Sequence, residues 1–150
     1  MHVDSPLGIL TLGATGGALT HLLYGKHFVP TAPDDIVSEA QKQLSGYFAG
    51  TRREFCLPLA PAGTPFQTAV WNALTEIPYG RTASYGDIAR AVGRAKAFRA
   101  VGQANHINPI SIIIPCHRVV GADGKLTGYG GGMAAKEYLL ALEARICAAD

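Results

Sequence analysis

A break at Pro58, Pro61 and Gly63 constrains this chain more than any other feature, because the residues on its two sides follow different periodicities. Before it the pattern is largely that of strands. Leu7 to Leu12 alternates imperfectly, Gly16-Gly17 supplies a turn, and Ala18 to Tyr24 is a second apolar run; together they predict a β-hairpin. Pro30 and Pro33 then interrupt the chain, and Asp34 is placed to cap a helix. Ile36, Val37, Ala40, Leu44 and Phe48 recur at helical spacing over 35–49 until Gly50 stops them. A third strand is expected over 53–59, where Phe55, Leu57 and Leu59 alternate.

After the break the pattern turns helical. Thr64-Pro65-Phe66-Gln67 combines a capping Thr, a Pro at the first helical position and a Gln three residues after the cap. Phe66, Val70, Leu74 and Ile77 line one face of that helix, with Trp71 beside the stripe as a second packing contact. Ser84-Tyr85-Gly86-Asp87 opens a short helix through Val92, and after a Gly93-containing turn another runs over 97–105. Two short helices joined this way have the form of a helix-turn-helix. The expected organisation is a small lobe over 1–62 and a mainly helical lobe over 63–150.

Charge and composition sharpen the reading. The net charge is only +2, yet between Arg81 and Arg118 six basic residues face the single acid Asp87, an electrostatic footprint for a polyanion or else a solvated basic face. The second helix of the pair begins Phe98-Arg99 and carries Ala100, Gly102 and Ala104, too small to read base edges but able to let a backbone press into a narrow groove beside the one long cation, Arg99. Small residues also suit tight helix packing. Hydrophobic residues at 48% and charged residues at 16% exclude a disordered chain. With no apolar run of membrane-spanning length and no signal-peptide pattern, a soluble, cytoplasmic protein is expected. Three cysteines without CxxC spacing fit neither a disulfide framework nor a structural zinc site.

The chemistry concentrates at 108–118. Asn108-Pro109 and the β-branched run Ile110 to Ile114 read as a buried extended segment that stops at Pro115, and Cys116-His117-Arg118 follow at once. Neighbouring side chains on a strand point to opposite faces, so Cys116 and His117 cooperate only if Pro115 forces a turn. An imidazole that takes the thiol proton, itself oriented by a carboxylate, raises the thiolate fraction. Asp123, Glu137 and Glu143 are the candidate acids. Glu143 is preferred, at the margin of a terminal helix over 134–148 whose Leu139, Leu142 and Ile146 face the core. Gly128-Tyr129-Gly130-Gly131-Gly132 lacks a phosphate-loop pattern and suits a pocket wall better.

Pro115-Cys116-His117-Arg118-Val119-Val120 resembles the signature of the O6-alkylguanine-DNA alkyltransferases, the methylated-DNA–protein-cysteine methyltransferases. The resemblance extends over Gly63 to Gln67, Ile77 to Gly80, Ser84-Tyr85, Arg99 to Gly102, Asn108-Pro109 and Gly128-Tyr129 to Glu143, and more loosely through Asp4 to Gly8 and Tyr47-Phe48. It implies an α/β (α+β) fold: a small, ribonuclease H-like lobe with an antiparallel sheet, then a mainly helical lobe with a helix-turn-helix and the thiol.

It also implies roles. Cys116 would be the alkyl acceptor, His117 its base acting through a water, Glu143 the orienting acid, and Asn108 the brace of the active-site turn and part of the pocket. Tyr85 would help rotate the nucleotide and donate to guanine N3. Arg99 would replace the extruded base in the stack, with Phe98, Ala100 and Gly102 against the minor groove and Tyr129 and Gly130 lining the base pocket. The implied partner is double-stranded DNA with an alkylated guanine, and O4-alkylthymine as a second lesion, repaired once per molecule by a monomer without cofactor. Gly130 and Ser111 depart from the hydroxyl residue and the Pro that many and some relatives, respectively, carry. With Cys56 the only Cys before Cys116, the zinc that some relatives hold is not expected. The alternative is a non-catalytic lesion sensor of the same fold that recruits other repair factors.

Overall fold

The computed structural model describes residues 1–30 and 35–150; the expected breaker Pro33 and cap Asp34 lie outside the described residues. Two compact units divide the chain, one made of Met1–Ala62 with Pro109–Ser111, the other of Gly63–Asn108 with Ile112–Asp150. The expected division at residue 63 did not foresee that 109–111 pack with the first unit. Among the described residues no helix is long and apolar enough to cross a membrane.

In the first unit, β1 (His2–Ser5), β2 (Gly8–Thr15) and β3 (Ala18–Tyr24) form an antiparallel sheet in that order. The hairpin is as its residues predict, with Gly16 and Gly17 both at positive φ in the turn. The strand β1 adds to the expected hairpin, and Leu7, expected at the start of a strand, lies in the turn between β1 and β2; Ser5 closes that turn by donating to the Gly8 carbonyl at 2.7 Å and accepting from the Leu7 amide. Helix α1 (Asp35–Phe48) contributes Val37, Ala40, Leu44 and Tyr47 to a core shared with Leu10, Leu12, Leu19 and Leu22.

The expected strand over 53–59 is absent. Only Leu59 pairs, in a parallel bridge to Leu19, because Pro58 has no amide and the Cys56 backbone is bonded instead by the Gln43 side chain, at 2.9 and 3.1 Å. Residues 109–111 add a second bridge on β3, between Leu22 and Ile110.

In the second unit, α2 (Pro65–Thr75) and α3 (Tyr85–Ala91) each begin with a complete capping box, Thr64 with Gln67 and Ser84 with Asp87. Helix α4 (Phe98–His106) has no side-chain cap. Val70, Leu74 and Ile77 are buried as expected, but so is Trp71, whose indole donates to the Ala104 carbonyl at 2.9 Å, while Phe66 is half-buried under the Arg94 guanidinium. Strand β4 (Ala83–Ser84) pairs in parallel with β5 (Val119–Val120), and α5 (Met133–Ala148) closes the unit. Ser111 to Ile114 are buried but not extended: they turn, with Ile112 at φ 72°.

Candidate active site

Local chain geometry first sets the thiol. After Pro115, residues Cys116–Arg118 form one 3-10 turn, closed by Cys116 N–H to the Ile114 carbonyl at 2.7 Å and Arg118 N–H to the Pro115 carbonyl at 3.0 Å. The chain turns at Pro115, so Cys116 and His117 do not alternate across an extended strand. Asn108 Nδ2 donates to the Ile114 carbonyl at 2.8 Å, fixing the approach to the turn, and Asn105 Nδ2 reaches the Cys116 carbonyl at 3.4 Å. All three residues of the turn are buried.

Next to the thiol stands a buried ionic cluster. His117 Nε2 lies 2.7 Å from Glu143 Oε2, and Arg118 grips the same carboxylate twice, Nε to Oε1 at 2.8 Å and Nη2 to Oε2 at 3.1 Å. The remaining Arg118 donor Nη1 meets the Ile77 carbonyl at 2.8 Å, and the Gly80 amide adds a bond to Glu143 Oε1 at 3.2 Å. Burial by itself would raise the Glu143 carboxyl, but the hydrogen bonds from His117 and Arg118, with the Arg118 charge, outweigh it and hold it at about 2. An ionised carboxylate only accepts, so Nε2 carries the imidazole proton and Nδ1 keeps a lone pair. Burial holds His117 neutral, below its ordinary range, and its Nδ1 is buried without a hydrogen-bond partner among the described residues.

The thiol and its surroundings obey the same logic. Burial pushes Cys116 up, opposed by the Asn108 side chain, the Lys136 charge and Tyr129. Lys136 itself is fully buried, donating to the Val119 carbonyl at 2.6 Å and the Thr127 carbonyl at 3.3 Å. Resting Cys116 is therefore a thiol beside a neutral base, with a cation in the same interior to favour its ionised form.

β4 runs directly into Tyr85, and because it pairs in parallel with β5, Tyr85 follows the Val120 end of the ladder while Arg118 precedes its Val119 end. Tyr85 is half-buried; its hydroxyl lies 2.5 Å from Thr127 Oγ1, and its ring stands 3.8 Å from where a Gly102 Cβ would be. Phe98, Arg99 and Ala100 are exposed on α4. Ala104 is not on that surface: it is buried and carries the Trp71 bond. Tyr129 is buried and Gly130 exposed in the loop before α5.

On the last helix Glu143, expected at the edge of the buried face, turns inward onto its ion pairs and is 1% exposed, whereas Ile146, expected to face the core, is only half-buried. The rival acids Asp123 and Glu137 are exposed. Sequence reasoning missed Arg118, Gly80, Lys136 and Thr127. Gly80 had a signal in Pro78-Tyr79-Gly80: it sits at φ 78° and any Cβ there would run into Cys147.

Residues 2–61 match the family model for the "6-O-methylguanine DNA methyltransferase, ribonuclease-like domain", and residues 65–145 that for its "DNA binding domain". A methylated-DNA–protein-cysteine methyltransferase of Methanosarcina barkeri is 51% identical over 148 residues, covering 94% of both chains. One from Mycobacterium bovis is 51% identical over 154 residues, covering 99% of this chain and 93% of its own. Among solved structures, that of Mycobacterium tuberculosis OGT in complex with DNA superposes with a TM-score of 0.88 at 51% identity, over 97% of this chain and 92% of that one.

Proposed function

The chain belongs to the 6-O-methylguanine DNA methyltransferase family, a methylated-DNA–protein-cysteine methyltransferase of DNA repair, and from that premise we propose how its residues carry out the transfer. Cys116 is the acceptor. Its thiol proton passes to His117 Nδ1 through an intervening water, which also satisfies a buried nitrogen that would otherwise be costly. Sγ then attacks the alkyl carbon on guanine O6: a C–S bond forms, the C–O bond breaks, and its electron pair stays on the departing base. Glu143 fixes the His117 tautomer and stabilises the imidazolium. The single observation that carries this reading is the buried Cys116-His117-Glu143 turn, with Nδ1 left as the free lone pair.

The remaining assignments rest on access and charge. An O6-alkyl group lies inside the duplex, so the nucleotide swings out to reach a buried sulfur, at a cost of a few kcal/mol that weak pairing lowers. Arg99 takes the vacated place in the stack, and Phe98, Ala100 and Gly102 meet the minor groove, where small residues permit close approach. Tyr85 donates to guanine N3 and offsets the charge that develops on the leaving base. Asn108 braces the turn, and Tyr129 and Gly130 wall the pocket. O4-alkylthymine offers the same alkyl–oxygen bond to the same nucleophile. The thioether product has no route back to the thiol, so each monomer acts once.

Intact-protein mass after incubation with a short duplex containing O6-methylguanine tests the reading. One added methyl per wild-type chain, none for Cys116→Ser, and a slowed gain for Arg99→Ala are expected. Methyl gain by Cys116→Ser would overturn the acceptor assignment.

A further inference from the structure

Tyr85 and Lys136 both meet the Thr127 hydroxyl. The Tyr85 hydroxyl lies 2.5 Å from Thr127 Oγ1, and Lys136 Nζ lies 3.5 Å from that same oxygen. Lys136 is fixed on the far side by the carbonyls of Val119 and Thr127 itself, at 2.6 and 3.3 Å, and is completely buried. Three elements therefore converge on one hydroxyl: the first residue of α3, the loop before α5, and α5.

The donor inventory gives this convergence a direction. An ammonium only donates, so Thr127 Oγ1 accepts from Lys136 and keeps one proton of its own and one lone pair. A phenol that donates to a substrate nitrogen needs a donor to its own oxygen to be fully bonded. Thr127 is the group within reach of that oxygen, and acceptance from a buried cation makes its proton a stronger donor.

We infer that Thr127 is a positioning residue for the transfer: it holds the Tyr85 hydroxyl by donating to it, backed by Lys136, so that the Tyr85 proton faces the flipped base. The inference rests on the proposed role of Tyr85 at the base. Thr127 itself touches no reacting atom. A valine at 127 keeps the shape of the side chain and removes both the acceptor for Lys136 and the donor for Tyr85, whereas a serine keeps both.

The test is a double-mutant cycle on single-turnover methyl transfer from duplex O6-methylguanine, with thermal unfolding of every variant measured alongside. Thr127→Val should slow transfer about 3- to 10-fold, the worth of one ordinary hydrogen bond. Thr127→Ser should recover most of that loss, and in a Tyr85→Phe background Thr127→Val should cost nothing further. If Thr127→Val folds poorly, Thr127→Ala replaces it in the cycle. A full-rate Thr127→Val beside a slow Tyr85→Phe overturns the Thr127 role alone. A full-rate Tyr85→Phe overturns the role of Tyr85 as well. Equal slowing by Thr127→Val in both backgrounds shows a general structural effect and also overturns the inference.

Discussion

A carboxylate that accepts from His117, from Arg118 twice and from the Gly80 amide is held in one orientation, and Glu143 is such a group. Its charge decides which imidazole nitrogen is basic. Glu143→Gln keeps the shape but can offer its N–H₂ to His117 Nε2, which moves the ring proton to Nδ1 and removes the base. We expect the single-turnover transfer rate of the folded variant to drop about 10- to 100-fold. A wild-type rate would remove Glu143 from the base-orienting role. Cys116 and His117 were legible as residues because a thiol next to an imidazole is a short-range pattern, and Glu143 because its place on an amphipathic helix set it apart from the other acids. Arg118 was not, although it belongs to the same tetrapeptide, because its partners Ile77 and Glu143 lie 41 and 25 residues away.

Helices α2 and α3 open with the same device, and their capping boxes were readable from four-residue patterns because a cap satisfies amides of its own first turn. The two caps differ in their distance from the chemistry. Thr64→Ala and Ser84→Ala should each cost about 1 kcal/mol, seen as a similar fall in stability to urea. Only Ser84→Ala should also slow transfer, since α3 begins at Tyr85 and Ser84 is paired to Val120. Equal transfer rates for the two variants would separate Tyr85 from its helix start. The failed strand over 53–59 and the turn at Ile112 mark where periodicity misleads. At the first, Gln43 takes the Cys56 backbone groups; at the second, Ile112 adopts a left-handed φ that β-branched residues rarely take, within a buried run.

For the molecule as a whole, the buried cluster sets the response to acid. Burial lowers His117 below its ordinary 6.5, so folding excludes a proton that the unfolded chain binds, and stability falls as pH drops below about 6.5. Glu143 lies at about 2 against an ordinary 4.5, so its contribution, on the order of 3 kcal/mol, is present above 4.5 and is lost as pH falls toward 2. Unfolding followed by the fluorescence of buried Trp71 should therefore show a midpoint that declines steadily from pH 7 to pH 3. A midpoint that held constant over that range would contradict the ionised cluster. What the amino-acid order determined alone was local: the hairpin, the capped helices, the Pro115 turn with its thiol and imidazole, and through the extended motif the family. Those features depend on sterics and hydrogen bonds within a few residues, which the order of side chains specifies directly. What the tertiary structure decided was the company each group keeps. The burial of Glu143 and Lys136, the Arg118 fork and the Thr127 link to Tyr85 all join residues distant in sequence, and only packing selects which buried charges and hydroxyls meet.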